Sequence, residues 1–280
     1  MAGEWYLGPA GDLRALECPE RDVNVSDVRY GGVHQGLSGA RTVDVTGVKM
    51  QIDMTLPYLE EDDYLWLEAM HVRHIPGPVY LINPLKKNLL SKEASMSNTS
   101  YFAGPGVYSP TAGYTHNWEW EDSYPSGVPG VRSVKRTGLP GTSVTYNIDD
   151  VKRVPVTVGT TYDFSAYMKA DSAKTVTFGI GWFDKDAGFL SITSSAKSVT
   201  TSWTRFDVSG TAPASAALAL PFWISTTNVS FTSTALQFEV GSSPTTWQLG
   251  GGSMLVFIDQ MPTTSPRFPL RNCSLTLLEA

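Results

Sequence analysis

The chain has 280 residues, 41% of them hydrophobic and 11% aromatic, enough to fill one or two packed cores without help from a metal or a disulfide framework. A net charge of -6, a pI near 5.2 and the absence of any basic run exclude the Lys/Arg-rich face of a nucleic-acid binder. No stretch approaches the roughly 18 apolar residues of a membrane span, and the opening Met1-Ala2-Gly3-Glu4-Trp5-Tyr6 lacks the basic and apolar regions of a secretory signal, so synthesis in a cytoplasm without ordinary export is expected.

In chain order, Val43 and Val45 lead into Met50, Ile52, Met54 and Leu56, which alternate with Gln51, Asp53 and Thr55 as in a half-buried strand. From Tyr58 to His71 the period changes. Leu59, Asp62, Asp63, Trp66, Leu67 and Met70 fall three and four apart, and the acidic residues Glu60 to Asp63 come early, which predicts the one helix of the chain. Pro76-Gly77-Pro78 predicts an extended turn, and Val79-Tyr80-Leu81-Ile82 a short buried strand before Asn83-Pro84.

Beyond Asn88 the pattern becomes one of two-residue alternation. Val154, Val156 and Val158; Tyr162, Phe164 and Ala166; Val176, Phe178, Ile180 and Trp182; Leu218, Leu220, Phe222 and Ile224; and Leu236, Phe238 and Val240 each mark a strand. Turn signals at Val158-Gly159-Thr160-Thr161, Asp184-Lys185-Asp186-Ala187-Gly188 and Gly210-Thr211-Ala212-Pro213 separate them at the spacing of an antiparallel sandwich. Lys/Arg and Asp/Glu are near balance over residues 89 to 247, so most of the negative charge lies outside that stretch. The last apolar runs, Leu255-Val256-Phe257-Ile258 and Cys273-Ser274-Leu275-Thr276-Leu277-Leu278, belong to a tail of about 30 residues, too short to bury a core alone. This tail is expected to complete the sheet begun by the first 88 residues. The expected fold is therefore mainly β: a split β-sandwich platform with one α-helix, residues 1–87 and 249–280, carrying an inserted antiparallel jelly-roll β-sandwich, residues 88–248.

Cys18 and Cys273 both fall in the platform and read as small apolar residues in strands, since a reducing compartment argues against pairing them. Six of the eight tryptophans lie in the insert. Trp203 and Trp247 read as structural. Trp118 and Trp120 stand among polar groups in Tyr114-Thr115-His116-Asn117-Trp118-Glu119-Trp120, with Tyr101, Tyr108 and Tyr124 crowding the same loops. Exposed rings there would offer flat faces for a sugar, with Glu119 as a hydroxyl partner, giving Trp118, Trp120, Tyr114, Tyr101 and Glu119 as candidate glycan-binding residues. The alternative is an aromatic plug over one end of the sandwich. Asp184-x-Asp186-x-Gly188 lacks the closing Glu of an EF-hand and reads as a hairpin tip, and His71-x-x-His74 has no third ligand, so no metal site is expected. Without a Gly-x-Ser-x-Gly elbow, a His-Glu-x-x-His helix or a phosphate loop, and with Glu119 and Glu121 only a coincidental carboxylate pair, neither catalysis nor a cofactor is expected.

The residues Trp5-Tyr6-Leu7-Gly8-Pro9-x-Gly11-x-Leu13-Arg14-x-Leu16, Gly31-Gly32-Val33-His34-x-Gly36-Leu37-x-Gly39-Ala40-Arg41, and Pro76-Gly77-Pro78 with Asn83-Pro84 resemble minor tail proteins of phages infecting actinobacteria. The closing Cys273-Ser274-Leu275-Thr276-Leu277-Leu278-Glu279 is similar to the last strand of many tail-tip and baseplate components, and a β domain with one helix interrupted by an insertion resembles the distal tail proteins. Asn88-Leu89-Leu90, Thr161-Tyr162-x-Phe164-Ser165-Ala166-Tyr167-x-Lys169-Ala170, Ser202-Trp203-Thr204-Arg205 and Gln237-x-Glu239-x-Gly241-x-x-Pro244-Thr245-x-Trp247 resemble jelly-roll carbohydrate-binding modules. Thr234-Ala235 stands where related modules often carry Asp, a departure that tells against carrying over their structural calcium. The resemblance implies a virion protein of the tail tip that assembles with itself in a ring, six-membered in the family. Tail tube and other tail-tip proteins would be its neighbours and host cell-wall glycans a possible ligand, without nucleic acid or membrane as partner. The rival expectation is a purely structural decoration, or a free carbohydrate-binding module.

Overall fold

A computed structural model of the chain describes residues 4–16, 23–36, 38–44, 46–97, 108–110, 117–128, 133–137, 144–225 and 230–280, with the backbone alone at 108–110, 117–120 and 144. The chain folds as two units. One comprises Glu4–Pro9, Leu13–Leu81 and Met254–Ala280; the other comprises Ile82–Ser253 with Ala10–Asp12. The first therefore uses both ends of the chain, with the second inserted between them.

In the first unit the strands are β1 (Tyr6–Gly8), β2 (Arg14–Ala15), β3 (Asn24–Tyr30), β4 (Val33–Gln35), β5 (Arg41–Val43), β6 (Gly47–Leu59) and β7 (Val79–Ile82), with helix α1 (Glu61–His71) between β6 and β7. Met50, Ile52, Met54 and Leu56 are all buried, as their alternation demands. The helix begins at Glu61 and not at Tyr58, because β6 continues through Leu59, which is buried and paired with Arg271. Trp66, Leu67 and Met70 turn one helical stripe into the core, and Glu61, Asp62 and Asp63 stand in the first turn, where the helix dipole favours acids.

The second unit holds β8 (Tyr108–Pro110), β9 (Asn117–Glu121), β10 (Ser133–Thr137), β11 (Val144–Ile148), β12 (Val154–Pro155), β13 (Thr161–Ala170), β14 (Lys174–Phe183), β15 (Phe189–Val199), β16 (Thr204–Thr211), β17 (Leu218–Ser225) and β18 (Phe231–Val240). Ahead of them lies a single helical turn, α2 (Lys92–Ser95), which no hydrophobic period announces; Ser91 caps it, its Oγ accepting from the Ala94 amide at 3.1 Å. Five strands in the order β16-β13-β18-β10-β9 face six built on β15-β14-β17-β11-β8 with β12 on β17. Aromatic rings fill the space between the sheets: Tyr162 stacks on Phe238 at 5.4 Å, and Phe164 contacts both Phe178 at 5.7 Å and Trp223 at 6.3 Å. This is the jelly-roll sandwich expected for the insert. Trp182 and Trp223 are core residues, 1% and 0% exposed.

The chain then returns through β19 (Ser253–Gln260), β20 (Thr263–Arg267) and β21 (Leu270–Glu279), and the first unit closes as one eight-stranded sheet in the order β2-β1-β7-β19-β21-β6-β3, with β20 on β21. Cys273, Leu275 and Leu277 pair with Leu56, Met54 and Ile52 and share their core, so the terminal strand completes the sheet begun by the first 81 residues. Cys273 is a buried free thiol; Cys18 lies outside the described residues.

Candidate functional site

Two surfaces carry functional interest, one in each unit. In the first unit, β3 and β6 pair from Asn24 to Tyr30. The ladder runs on through Thr46 N to Tyr30 O at 2.9 Å and Asp44 N to Gly32 O at 2.8 Å into the β4–β5 pair. Beyond Gln51, the last β6 residue paired with β21, the described residues between 27 and 50 form a two-stranded arm on which Tyr30, Val33, Val43 and Val48 are exposed, Tyr30 by 51% and Val33 by 57%. An isolated ribbon of two strands is marginal in water unless it packs against something else. β3 ends the sheet and β20 is exposed along its whole length, followed by Phe268 at 88% exposure.

In the second unit, the outer face of the five-stranded sheet is polar and largely covered. Lys169 Nζ lies 3.1 Å from Glu121 Oε1 and 5.0 Å from the Trp203 ring, and Thr232 donates to Glu121 Oε2 at 3.0 Å. Trp203 and Trp247, read as structural, are half-buried, and their indole N–H groups donate to Ser123 Oγ and to the Leu236 carbonyl. Further along the same face Asp163, Glu239 and Gln237 are buried, with Arg205 reaching over them.

Of the candidate glycan residues, Tyr101 and Tyr114 lie outside the described residues. Trp118, Glu119 and Trp120 lie on β9, the edge strand of the five-stranded sheet, at positions paired with Arg136, Lys135 and Val134. Positions 118 and 120 thus share a register face with Arg136 and Val134, both fully buried, while position 119 shares the face of Lys135. The Asp184 motif is a hairpin tip: its Oδ1 accepts from the amides of Asp186 at 2.9 Å and Gly188 at 2.7 Å. His71 Nδ1 sits 3.3 Å from the Ile258 carbonyl. Among the described residues no three His, Cys, Asp or Glu side chains are grouped to hold a metal ion.

Sequence reading missed Lys169 with Trp203, the buried Asp163, and the exposure of both faces of the arm. The first two depend on which strands become neighbours. The third had a signal in the Gly31-Gly32 and Gly36 to Gly39 punctuation, which breaks residues 27–50 into short strands.

No protein-family model and no curated protein matches the chain. Among solved structures it is similar to the enzymatically active domain of tailspike protein 4 of bacteriophage CBA120, with 12% identity and a TM-score of 0.43 over 55% of this chain and 21% of that one. It is also similar to the CBM22-1 xylan-binding domain of Xyn10C from Paenibacillus barcinonensis, at 15% identity and TM-score 0.37 over 49% of this chain and 87% of that one. A third likeness is to the CBM22-1 and GH10 modules of xylanase 10B from Clostridium thermocellum, at 13% identity and TM-score 0.37 over 50% and 27%. The chain spans about a fifth of the length of the tailspike chain and about a quarter of the xylanase chain.

Proposed function

We propose that this chain is a structural protein of a phage tail tip, of the distal-tail kind, that assembles with copies of itself in a ring and carries a glycan-contacting sandwich. The observation that supports it is the arm: a ribbon exposing Tyr30, Val33 and Val43, on a sheet that ends, among the described residues, at β3. Unpaired strand edges with apolar side chains invite a neighbour, and head-to-tail contacts between unlike surfaces close rings. β20 and Phe268 supply the second surface of such a contact. In this reading its neighbours are the tail tube and other tail-tip proteins, it belongs to the virion, and weak glycan contacts multiplied around the ring give avidity for the host wall.

Light scattering and sedimentation of the full chain over a range of concentrations test the assembly. A closed oligomer is expected, and Tyr30→Asp with Val33→Asp is expected to raise the concentration needed for it at least tenfold, about 1.4 kcal/mol. A wild-type chain that stays monomeric at high concentration and is absent from purified virions overturns the reading.

Glycan contact by the insert has its own test, binding of the full chain to host cell-wall polysaccharide. Trp118→Ala, Trp120→Ala and Glu119→Gln are expected to weaken it by about 1 to 3 kcal/mol each, the worth of an aromatic face or a buried hydrogen bond. The register of positions 118 and 120 with buried Val134 and Arg136 favours a second reading, a purely structural insert whose tryptophans fill the sandwich. In that case the two Trp variants lose folding stability, and the wild type gives no saturable binding.

A further inference from the structure

Asp163, the third residue of β13, is 0% exposed, and among the described residues neither carboxylate oxygen has a hydrogen-bond partner. It stands directly across the ladder from Glu239 on β18, itself 1% exposed. Two buried carboxyls side by side cannot both hold a charge cheaply, since an ion left without donors in a protein interior costs several kcal/mol. Glu239 has the donors: its Oε1 accepts from the Thr245 amide at 2.7 Å and from Gln237 Nε2 at 2.5 Å, and its Oε2 from Thr245 Oγ1 at 2.7 Å. Asp163 has none. Burial, then Asp207, then Glu239 push its carboxyl up from 3.8 to about 7, against the weaker pull of Arg205 and Lys197.

What surrounds Asp163 is the anchorage of the returning strap, residues 241–248. Glu239 holds Thr245 by the bonds just given, Gln237 Oε1 accepts from the Gln248 amide at 2.8 Å, and Arg205 Nη1 donates to the Thr245 carbonyl at 2.5 Å. Arg205 Nη2 donates to Ser165 Oγ at 3.0 Å, while its buried Nε has no partner among the described residues. The charged groups facing Asp163 are Arg205 and Asp207 on β16, Glu239 on β18 and Lys197 on β15; the strap contributes no titratable side chain.

We propose that Asp163 is a proton-operated latch on the strap 241–248. With the carboxyl neutral, Glu239 and Arg205 hold Thr245 undisturbed. When Asp163 ionises, the new negative charge repels Glu239 and draws the guanidinium of Arg205, with its free Nε–H, away from the Thr245 carbonyl, and the strap loosens. Linkage gives the sign: the folded chain keeps a proton that the unfolded chain has lost above its ordinary carboxyl value, so the latched state weakens as pH rises from about 4 to about 7 and is constant above that.

Hydrogen exchange of the full chain, corrected for intrinsic rates, tests this between about pH 5.5 and about pH 8.5. Protection of the amides of Thr245 and Gln248 is expected to fall by about ten- to thirtyfold, all of it below about pH 7, the effect of one proton's difference in binding over about 1.5 pH units. In Asp163→Asn, which keeps the shape and removes the proton, the fall is expected to vanish, and in Asp207→Asn its midpoint is expected to move to lower pH. Flat protection in the wild type, or the wild-type pH dependence retained in Asp163→Asn, overturns the proposal. So does recovery of protection at high pH on adding calcium to the wild type but not to Asp163→Asn, which makes Asp163 a cation ligand.

Discussion

Asn88→Ala is expected to lower the stability of the inserted unit by about 4 kcal/mol, the largest single effect on its folding. Asn88 stands where the chain enters the sandwich and is 0% exposed. Its Nδ2 donates to the carbonyls of Leu236 and Gln248, both at 2.9 Å, and its Oδ1 accepts from the amides of Leu90 at 3.2 Å and Phe238 at 3.1 Å. One side chain thus binds the outgoing segment, the last strand and the returning segment. The seam around it is backbone on backbone: Gly252 N to Asn88 O at 2.9 Å and Gly251 N to Leu90 O at 2.6 Å. Removing the amide leaves two carbonyls and two N–H groups desolvated, at about 1 to 3 kcal/mol each before water or relaxation recovers part of it. Asn88→Asp separates hydrogen bonding from shape. It preserves volume and one acceptor but turns an oxygen toward two carbonyls, so it is expected to cost at least as much as Ala. Urea unfolding followed by tryptophan emission reads this unit, since six of the eight tryptophans lie in it. A loss below about 1 kcal/mol in both variants would show that the hub is dispensable.

Gly179→Ala is expected to cost about 3 kcal/mol for a physically different reason. Gly179 on β14 pairs directly with Phe222 on β17, and the ring lies across the bare glycine: an added Cβ would meet its Cζ at 2.1 Å and its Cε1 at 2.6 Å. Phe222 is 5% exposed, so the methyl must push a buried ring aside, losing part of the roughly 2 to 3 kcal/mol its burial supplies and adding strain. Glycine inside a strand often marks such a close approach. Phe222→Ala alone opens a cavity and costs about 3 kcal/mol or more. The combined variant is expected to be more stable than the sum of the two by about 1 to 3 kcal/mol, because the clash needs both groups. Additive losses in a double-mutant cycle would mean that the ring already has somewhere to go.

Strand alternation at Met50 to Leu56, Tyr162 to Ala166 and Val176 to Trp182 was legible because a side chain's face is set by its own position along a strand. The split was legible too: about 30 residues after Gly250 cannot make a core, so they had to rejoin one. The start of α1 was misplaced by three residues because Leu59 fits a helical stripe and a strand equally well, and its pairing with Arg271, distant in sequence, decides between them. The single turn at Lys92–Ser95 is fixed by one capping bond, too local a device to leave a period.

By itself, then, the sequence determined the features that depend on neighbours along the chain: the β class, the strands, the hairpin tip at Asp184 and the insertion of one unit into another. Only the tertiary structure decided which strands lie side by side, and with that the properties that depend on distant partners. Asn88 becomes a hub because the chain leaves and returns through one seam. Asp163 is buried between β16 and β18, and positions 118 and 120 share a face with Arg136 and Val134 because β9 pairs with β10. Desolvation and cross-strand register are sums over residues far apart in sequence, which no local pattern encodes.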